Sequence, residues 1–276
     1  MAAVTGPEVG GLLRQGKRRR LLIGAVIAWI VVLVGLSIWS VEREPATVPE
    51  QRDIAHAVPE LQQAAGTLFT AADGDGRALV LGELELIGDC RITPVRSGTE
   101  AARDLTIYVA DGGAKAALDQ IAAGLPKRYQ AYSISTKGGT RLTFHADAGN
   151  FIGIDGRVDA TAKVLTLRLT SGCRPDSDDI PGEADPSAGA PPAVFGAVLA
   201  ALSGEATSVP ATTAVPGATS WTVALDEPTD LQERLRKVSA GAAVIRGDAS
   251  VWAYRTGDDS VVVVPDGKRV RVTVSQ

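Results

Sequence analysis

The sequence predicts an α+β protein in which one N-terminal transmembrane helix is followed by two small extracytoplasmic α+β domains with antiparallel sheets. Three observations lead to this prediction. Residues 21–39 form a run of nineteen residues without a charge. The chain that follows alternates segments of helical periodicity with short segments rich in Val, Ile, Leu and Thr, which are typical of amphipathic helices and half-buried strands. An acidic, Pro-rich stretch at 174–192 divides this second part of the chain.

The uncharged run is long enough for a transmembrane helix. At about 1.5 Å per residue it would extend roughly 28 Å, which matches the hydrocarbon core of a bilayer. A cleaved signal peptide is the alternative, but its apolar core would be shorter and would end at small residues, whereas Ile38, Trp39 and Glu42 stand here. A buried core helix is a third interpretation, which the absence of a polar face disfavours. We therefore expect an uncleaved anchor over 21–39.

The charges around the run predict its orientation. The basic residues that precede it are Arg14, Lys17, Arg18, Arg19 and Arg20. By the positive-inside rule, residues 1–20 are a cytoplasmic tail at the plasma membrane, and the chain after the helix is extracytoplasmic. The chain after the run has 23 basic and 31 acidic residues, a net charge of −8. Because such a region repels phosphate groups, no nucleic acid is expected as a partner.

The region after the membrane begins with a predicted stalk at 40–58, which contains Pro45 and Pro49, and continues into an α+β domain at 59–173. This domain opens with an amphipathic helix that has Pro59 in its first turn. The other predicted elements are strands at 78–92, 105–110, 132–136, 141–146, 151–158 and 163–170, and a helix at 114–125 that Pro126 ends. Residues 137–140, Lys-Gly-Gly-Thr, indicate a hairpin turn.

The stretch at 174–192 holds five prolines and five acidic residues and is predicted to be a linker because it is too polar to bury. A second α+β domain is predicted at 193–276. Its elements are a helix at 194–202, a loop at 203–219, strands at 221–225, 243–245, 251–255, 261–264 and 269–274, and a helix opened by a capping box of Thr229 and Gln232. Both domains follow one plan of helix, strand, helix and hairpins. This plan suggests a degenerate duplication, although such meanders also recur by chance.

Cys90 and Cys173 are the two cysteines of the chain, and the predicted topology places both in an oxidising compartment. We expect them to form a structural disulfide, because the C-x-x-C spacing of a redox enzyme is absent. In the chain-entropy model this bond would contribute about 4–5 kcal/mol. Two unrelated buried thiols are the alternative.

The two histidines and a pair of glutamates are predicted to be solvated. His56 falls in the predicted stalk, and His145 shares the solvent face of its strand with polar neighbours, so no metal-ligand spacing is formed. Glu83 and Glu85 lie on one face of a strand. A solvated strand face is a more common role for such a pair than acid/base catalysis.

Two short motifs are predicted to be turns. Residues 73–76, Asp-Gly-Asp-Gly, resemble part of a calcium loop, but Ala71 and Gly82 stand where the first and last ligands belong. Residues 246–248 spell Arg-Gly-Asp, a tripeptide found in adhesion motifs, which here falls between two predicted strands. No catalytic, cofactor-binding or metal-binding residue is therefore predicted, and no cofactor.

These observations favour a single-pass bacterial envelope protein whose extracytoplasmic part is a non-catalytic interaction or scaffold module. Its expected partners are the membrane and other envelope proteins. An anchored domain that binds a small molecule, a peptide or a wall polymer is the second hypothesis, and an envelope enzyme without a recognisable motif is the third. A concave apolar pocket would favour ligand binding. An exposed apolar patch or an unpaired sheet edge would favour the scaffold.

Overall fold

The computed structural model describes residues 10–43, 52–178, 189–202 and 209–276. The chain divides into two units, Met1–Thr47 and Val48–Gln276. The predicted linker at 174–192 and the predicted stalk at 40–58 lie partly outside the described residues. The two units are treated separately below.

The first unit contains one helix, α1 (Gly10–Arg43), in its described part. The described side chains at 22–37 and 39 are exposed, and most of them are large and apolar. The basic side chains at 14 and 17–20 lie outside the described part. Among the helices that the structure describes, none is both long enough and apolar enough to cross a membrane. The transmembrane helix predicted at 21–39 is therefore unsupported by the structure and stays a prediction.

The described part of the second unit contains four further helices and thirteen strands. They are α2 (Ile54–Ala72), β1 (Arg77–Leu81), β2 (Glu85–Thr93), β3 (Arg96–Val109), α3 (Ala114–Gly124), β4 (Tyr132–Thr136), β5 (Arg141–Asp147), β6 (Gly153–Asp159), β7 (Val164–Arg174), α4 (Ala193–Leu202), β8 (Ala211–Val215), β9 (Ala218–Asp226), α5 (Leu231–Val238), β10 (Ala243–Gly247), β11 (Trp252–Thr256), β12 (Asp259–Asp266) and β13 (Arg269–Ser275).

The strands form two sheets in which the described pairings are all antiparallel. The first sheet has the order β1-β3-β7-β6-β5-β4, and β2 pairs with the other end of β3 beside β1. The second sheet has the order β10-β11-β12-β13-β9-β8. The predicted α+β class with two antiparallel sheets is thus confirmed.

The two halves of this unit share one topology. Apart from β2, each half runs helix, two strands, helix, four strands along the chain. The order β1-β3-β7-β6-β5-β4 corresponds position by position to β8-β9-β13-β12-β11-β10. The common plan expected from the sequence is therefore present in the strand order. An origin by duplication stays a prediction.

Each sheet packs helices on one face, and part of its opposite face packs against the other sheet. On β1, Leu79 and Leu81 belong to the core beneath α2 and α3, whereas Ala78 and Val80 face the second sheet. This alternation is the one that a strand between two layers requires. The residues between the sheets, which we call the shared core, are Ala78, Val251, Ala253 and Val262, with Val80, Tyr108, Ile245 and Val264 packed around them.

The shared core joins the two predicted domains. Each predicted domain has its own sheet, yet both sheets lie in one compact unit, Val48–Gln276. Two polar contacts join them as well: the buried Leu81 amide donates to Ser220 Oγ at 3.2 Å, and Arg255 forms a partly buried ion pair with Asp73. The division into two domains at 59–173 and 193–276 stays a prediction.

Several predicted boundaries differ from the observed ones. Helix α2 begins at Ile54 after the N-cap residue Asp53, so the last part of the predicted stalk is helical and Pro59 lies inside the helix. Strand β7 extends to Arg174, which is buried, so the predicted linker begins later. The predicted strand at 78–92 is interrupted at 82–84.

Two predictions in the second half were wrong. The predicted loop at 203–219 contains strand β8, whose short Ala- and Thr-rich sequence carries little apolar signal. The capping box does not form, because Asp230 occupies the N-cap without a side-chain cap bond and the Gln232 amide donates to the Asp248 carbonyl at 3.3 Å.

Candidate interaction surface: the β4 edge

Strand β4 is an open edge of the first sheet. It pairs with β5 along all five residues in an unbroken register. Four of the five residues are exposed, and the side chains of Tyr132 and Ile134, which point to one face, are 46% and 47% exposed. The sequence Tyr-Ser-Ile-Ser-Thr has neither a charge nor a proline. We call these residues, Tyr132–Thr136, the β4 edge. Its outward backbone groups are a template for another strand.

The β4 edge is held in place from both faces. On the outer face, the Tyr132 ring lies 5.6 Å from the His145 ring, and His145 Nδ1 is 2.9 Å from Asp155 Oδ1. On the helix face, the Ser133 hydroxyl donates to Asp119 of α3, to which Lys115 Nζ also donates at 2.6 Å. These donors, Lys115 first and Ser133 second, lower the pKa of Asp119. These contacts therefore fix the position of β4 relative to α3 and β5.

The corresponding strand of the second half, β10, is protected. Its register with β11 shifts between Val244 and Arg246, and Ile245 packs against the shared core. Arg246 pairs with Asp248 and keeps only 12% of its side chain exposed. A bulge, a charge and coverage are the usual devices that prevent a strand from being added to an edge.

The Arg-Gly-Asp tripeptide at 246–248 was predicted to be a turn, but Arg246 and Gly247 are the last two residues of β10 and only Asp248 lies in the β10–β11 turn. The Asp248 carboxylate accepts from the Ser250 amide at 2.9 Å and from the Val251 amide at 3.1 Å. Hydrogen bonds from Ser250 and Arg246 lower the pKa of Asp248 well below its usual range. Both charged side chains of the tripeptide are therefore engaged in contacts within this hairpin.

The three remaining edge strands, β1, β2 and β8, are buried, irregular or covered. Strand β1 pairs only with β3, but four of its five residues are buried. Strand β8 lies between Pro210 and Pro216, and the Pro216 carbonyl approaches Gly66 of α2 so closely that a Cβ there would clash. Strand β2 has two register shifts against β3, and Asp89 lies at a φ of 58°. Among the edges in the described chain, β4 alone combines a regular register, exposure and the absence of charge.

Cys90 and Cys173 form the predicted disulfide, with their Cα atoms 5.7 Å apart. Cys90 is on β2 and Cys173 on β7, so the bond crosses β3, which lies between them. The close packing there depends on Gly98 of β3, because a Cβ at this position would lie 2.0 Å from the Arg174 carbonyl oxygen. The disulfide therefore joins the projecting β2–β3 hairpin to the body of the first sheet.

The other residues singled out from the sequence have structural partners. His56 lies in the first turn of α2 rather than in a stalk, with Nδ1 2.7 Å from Asp53 Oδ1. Glu85 accepts from Arg168 at 2.7 Å. Glu83 lies in the interruption at 82–84, so the two glutamates do not share one strand face as predicted. Among the described residues, no cluster of His, Cys, Asp and Glu could hold a metal ion.

Residues 73–76 form the turn after α2, as predicted, and they also connect the two halves. The Asp73 carboxylate accepts from Arg255 of β11, and the Asp73 carbonyl accepts from Arg77 Nη2 at 3.2 Å. Arg77 is buried, and burial, opposed by Asp73, lowers its pKa. Sequence reasoning missed this connection because Arg255 is 182 residues away.

The largest of the open clefts described, about 480 Å³, lies between the β1–β2 connection and the outer face of the second sheet. It is lined by polar side chains, in particular the hydroxyls of Thr213, Thr222 and Thr273, together with Glu83 and Arg271. The hydroxyls of Thr222 and Thr273 lie 3.0 Å apart. The cleft is hydrophilic and shallow, unlike the concave apolar pockets that bind most small ligands.

Comparison with known proteins adds little to this description. No family model matches the sequence, and no curated protein matches it. The fold is weakly similar to the crystal structure of a DUF4853 family protein from Actinomyces odontolyticus, with 10% identity, a TM-score of 0.34, and coverage of 54% of this chain and 82% of that one. For the MucA/MucB complex structure from Pseudomonas aeruginosa, the identity is 10%, the TM-score 0.13, and the coverage 80% of this chain and 93% of that chain. Both scores are too low to carry an argument about family or function.

Proposed function

We propose that the chain is a single-pass envelope protein whose extracytoplasmic part is a non-catalytic interaction module that binds its partner by strand addition. The observation that carries this proposal is the β4 edge, which is regular, exposed and uncharged. An added strand would satisfy its outward backbone groups and pack against Tyr132 and Ile134.

The anchor and the location belong to the same proposal. They rest on the uncharged run at 21–39, the basic residues before it and the disulfide after it. A reporter enzyme fused after Gln276 tests them, since it should be active only outside the cytoplasm. An active cytoplasmic reporter would contradict the orientation, and a mature protein that starts near Ser40 would contradict the anchor.

The interaction is tested by a photo-crosslinking residue placed at Ile134 in the full-length protein in native membranes. We expect discrete crosslinked adducts on irradiation. The matched control is Thr166 on β7, which is exposed on the outer face of the same sheet but lies three strands from the edge, or about 14 Å. An absence of adducts at Ile134, or equal yields at both positions, would contradict binding at the β4 edge.

The polar cleft supports a second candidate, a domain that binds a hydroxyl-rich ligand such as a wall polymer. Three threonines, two glutamates and an arginine line it, and such side chains can hydrogen-bond to the hydroxyls of a sugar. Replacing Thr222 and Thr273 with Val should then abolish co-sedimentation with purified cell wall. Unchanged co-sedimentation would remove this candidate.

A further inference from the structure

The sequence of the β4 edge is nearly symmetric about its centre. Ser133 and Ser135 flank Ile134, and Tyr132 and Thr136 flank the serines. Tyr132, Ile134 and Thr136 share one face of the strand and the two serines share the other, because side chains alternate. A strand with this symmetry is complementary to a second copy of itself in antiparallel orientation.

We propose that the partner that adds to the β4 edge is the β4 edge of a second copy of this chain, which joins two copies into one continuous sheet around a two-fold axis at Ile134. This inference rests on the proposed function, since it names the partner of the same edge. A two-fold axis makes the contact isologous, the arrangement of most homodimers.

The centred register gives a favourable set of cross-strand pairs. Ile134 lies opposite Ile134 of the second copy, and Tyr132 lies opposite Thr136, an aromatic residue against a β-branched one. On the other face, Ser133 lies opposite Ser135. The strand ends on both sides of these five residues, since Gln130 and Lys137 have positive φ. No charged residue is therefore among the paired positions, although the region after residue 39 has a net charge of −8.

Other registers are less favourable. A shift of one residue places Ile134 opposite a serine and mismatches the faces of the two strands. A shift of two residues restores the faces but leaves fewer of the five residues paired. The symmetry therefore selects the register centred on Ile134, and that register predicts which side chains of the two copies meet.

The test uses single cysteines in the full-length protein in native membranes, oxidised with copper phenanthroline. Directly opposed residues have Cβ atoms about 5 Å apart, so Ile134→Cys should form a covalent dimer. Ser135→Cys should form little, since the two copies of residue 135 would have Cα atoms about 8 Å apart, beyond the bridging limit of about 7 Å. Thr143→Cys on β5, one strand away from the edge, measures random collision.

A mixed experiment checks the register directly. Copies that carry Tyr132→Cys and copies that carry Thr136→Cys, expressed together, should form a mixed dimer at least about tenfold more efficiently than either alone. Intact mass confirms that each variant keeps the bond between Cys90 and Cys173, which shows that it has folded. Absence of a dimer with Ile134→Cys, or an equal yield with Thr143→Cys, would overturn the proposal.

These outcomes separate the two proposals. If the crosslinking residue at Ile134 traps a different protein and Ile134→Cys gives no dimer, the edge binds a partner but the partner is not a second copy. If neither experiment gives a product, both proposals fail. If the adduct has twice the mass of the chain and Ile134→Cys dimerises, both are supported.

Discussion

The two halves of the compact unit have the same strand order but use their surfaces differently. In the second half, the outer face of β11 and β12 carries Ala253 and Val262, which pack with Val251 just before β11 and are covered by the first sheet. In the first half, the corresponding face of β5 and β6 carries Thr143, His145, Asp155 and Arg157 and is exposed or half-buried. One topology therefore provides both an internal interface and a free surface, and side-chain polarity decides between them.

The same difference appears at the edges. Strand β10 is bulged, paired through Arg246 and packed on the shared core, whereas its counterpart β4 is regular and open. Protection of β10 is required because it borders the interface between the sheets. Strand β4 does not border this interface. Its lack of a bulge, a charge and a cover fits the role proposed for it above, the binding of another strand.

The largest expected effect comes from removing the disulfide that only the first half possesses. Replacing both Cys90 and Cys173 with Ser should lower the free energy of unfolding by roughly 4 kcal/mol, because the bond closes a long loop. Since the halves share a core, we expect one cooperative transition at a lower temperature, measured by calorimetry and hydrogen exchange. Unchanged protection of 209–276 while the first half opens would show that the halves are independent domains after all.

The shared core itself can be weakened from the second half. Val262 faces the first sheet and Val263 faces the helices of its own half, and both are almost fully buried. Replacing either valine with Ala should lower the free energy of unfolding by about 2–3 kcal/mol, because less apolar area is buried and a cavity remains. With Val262→Ala, exchange should rise in β1 of the first half as well. Val263→Ala is the matched control, and identical exchange patterns in the two variants would argue against coupling through the shared core.

The sequence contained a signal for this core that the strand assignments did not use. Residues 261–264 are four consecutive valines, and a run without alternation is typical of a strand buried on both faces. In β7, by contrast, Leu165, Leu167 and Leu169 alternate with polar residues in the sequence, and these three leucines are buried in the core beneath α2 and α3. The periodicity of a strand or a helix depends only on residues close together in the sequence. Most strands and helices could therefore be predicted.

Contacts between distant residues were less predictable. The disulfide could be predicted because Cys90 and Cys173 are the only cysteines. The hairpin turn at 137–140 correctly predicted β5 as the neighbour of β4. Neither the pair of Asp73 with Arg255 nor the edge position of β4 could be predicted, because charged residues are numerous and local sequence does not state which strand ends a sheet. The β4 residues were assigned to a strand correctly. Their position at the edge follows only from the order of the whole sheet.

A smaller effect on stability is expected at alkaline pH, in the core between the second sheet and its helices. Burial raises the pKa of Tyr254 in the second half to about 12, and among the described residues its hydroxyl has no hydrogen-bond partner. Because the folded state holds this proton more tightly than the unfolded state, the stability is complete below about pH 10 and falls as the pH rises towards 12. Tyr254→Phe should therefore reduce this alkaline loss, and at pH 7 it should be neutral or stabilising by about 1 kcal/mol.

Denaturant unfolding at pH 7 and pH 11 measures both effects. Tyr129→Phe is the control, because Tyr129 is a buried tyrosine of the first half. If Tyr254→Phe is strongly destabilising at pH 7, the hydroxyl has a partner that is essential to the core. An alkaline loss that is equal in Tyr254→Phe and the unchanged protein would assign the titration to other groups.

The smallest expected effect concerns the loop between β5 and β6. The two halves place different residues at positive φ in this loop and in its counterpart. The corresponding turn between β11 and β12 has Gly257 at a φ of 59°, whereas the longer loop of the first half has Gly149 at 90°, Asn150 at 52° and Phe151 at 60°. A side chain at positive φ costs roughly 1–2 kcal/mol, and the contact of the Phe151 ring with the Arg174 guanidinium, 5.9 Å away, partly offsets this cost. Phe151→Ala loses the ring but keeps the strain, whereas Phe151→Gly loses both. The Gly variant should thus be about 1 kcal/mol more stable than the Ala variant in urea unfolding.

Equal stabilities would mean that the loop relaxes to negative φ once the ring is gone, in which case the packing of Phe151 on Arg174 holds the backbone in this conformation.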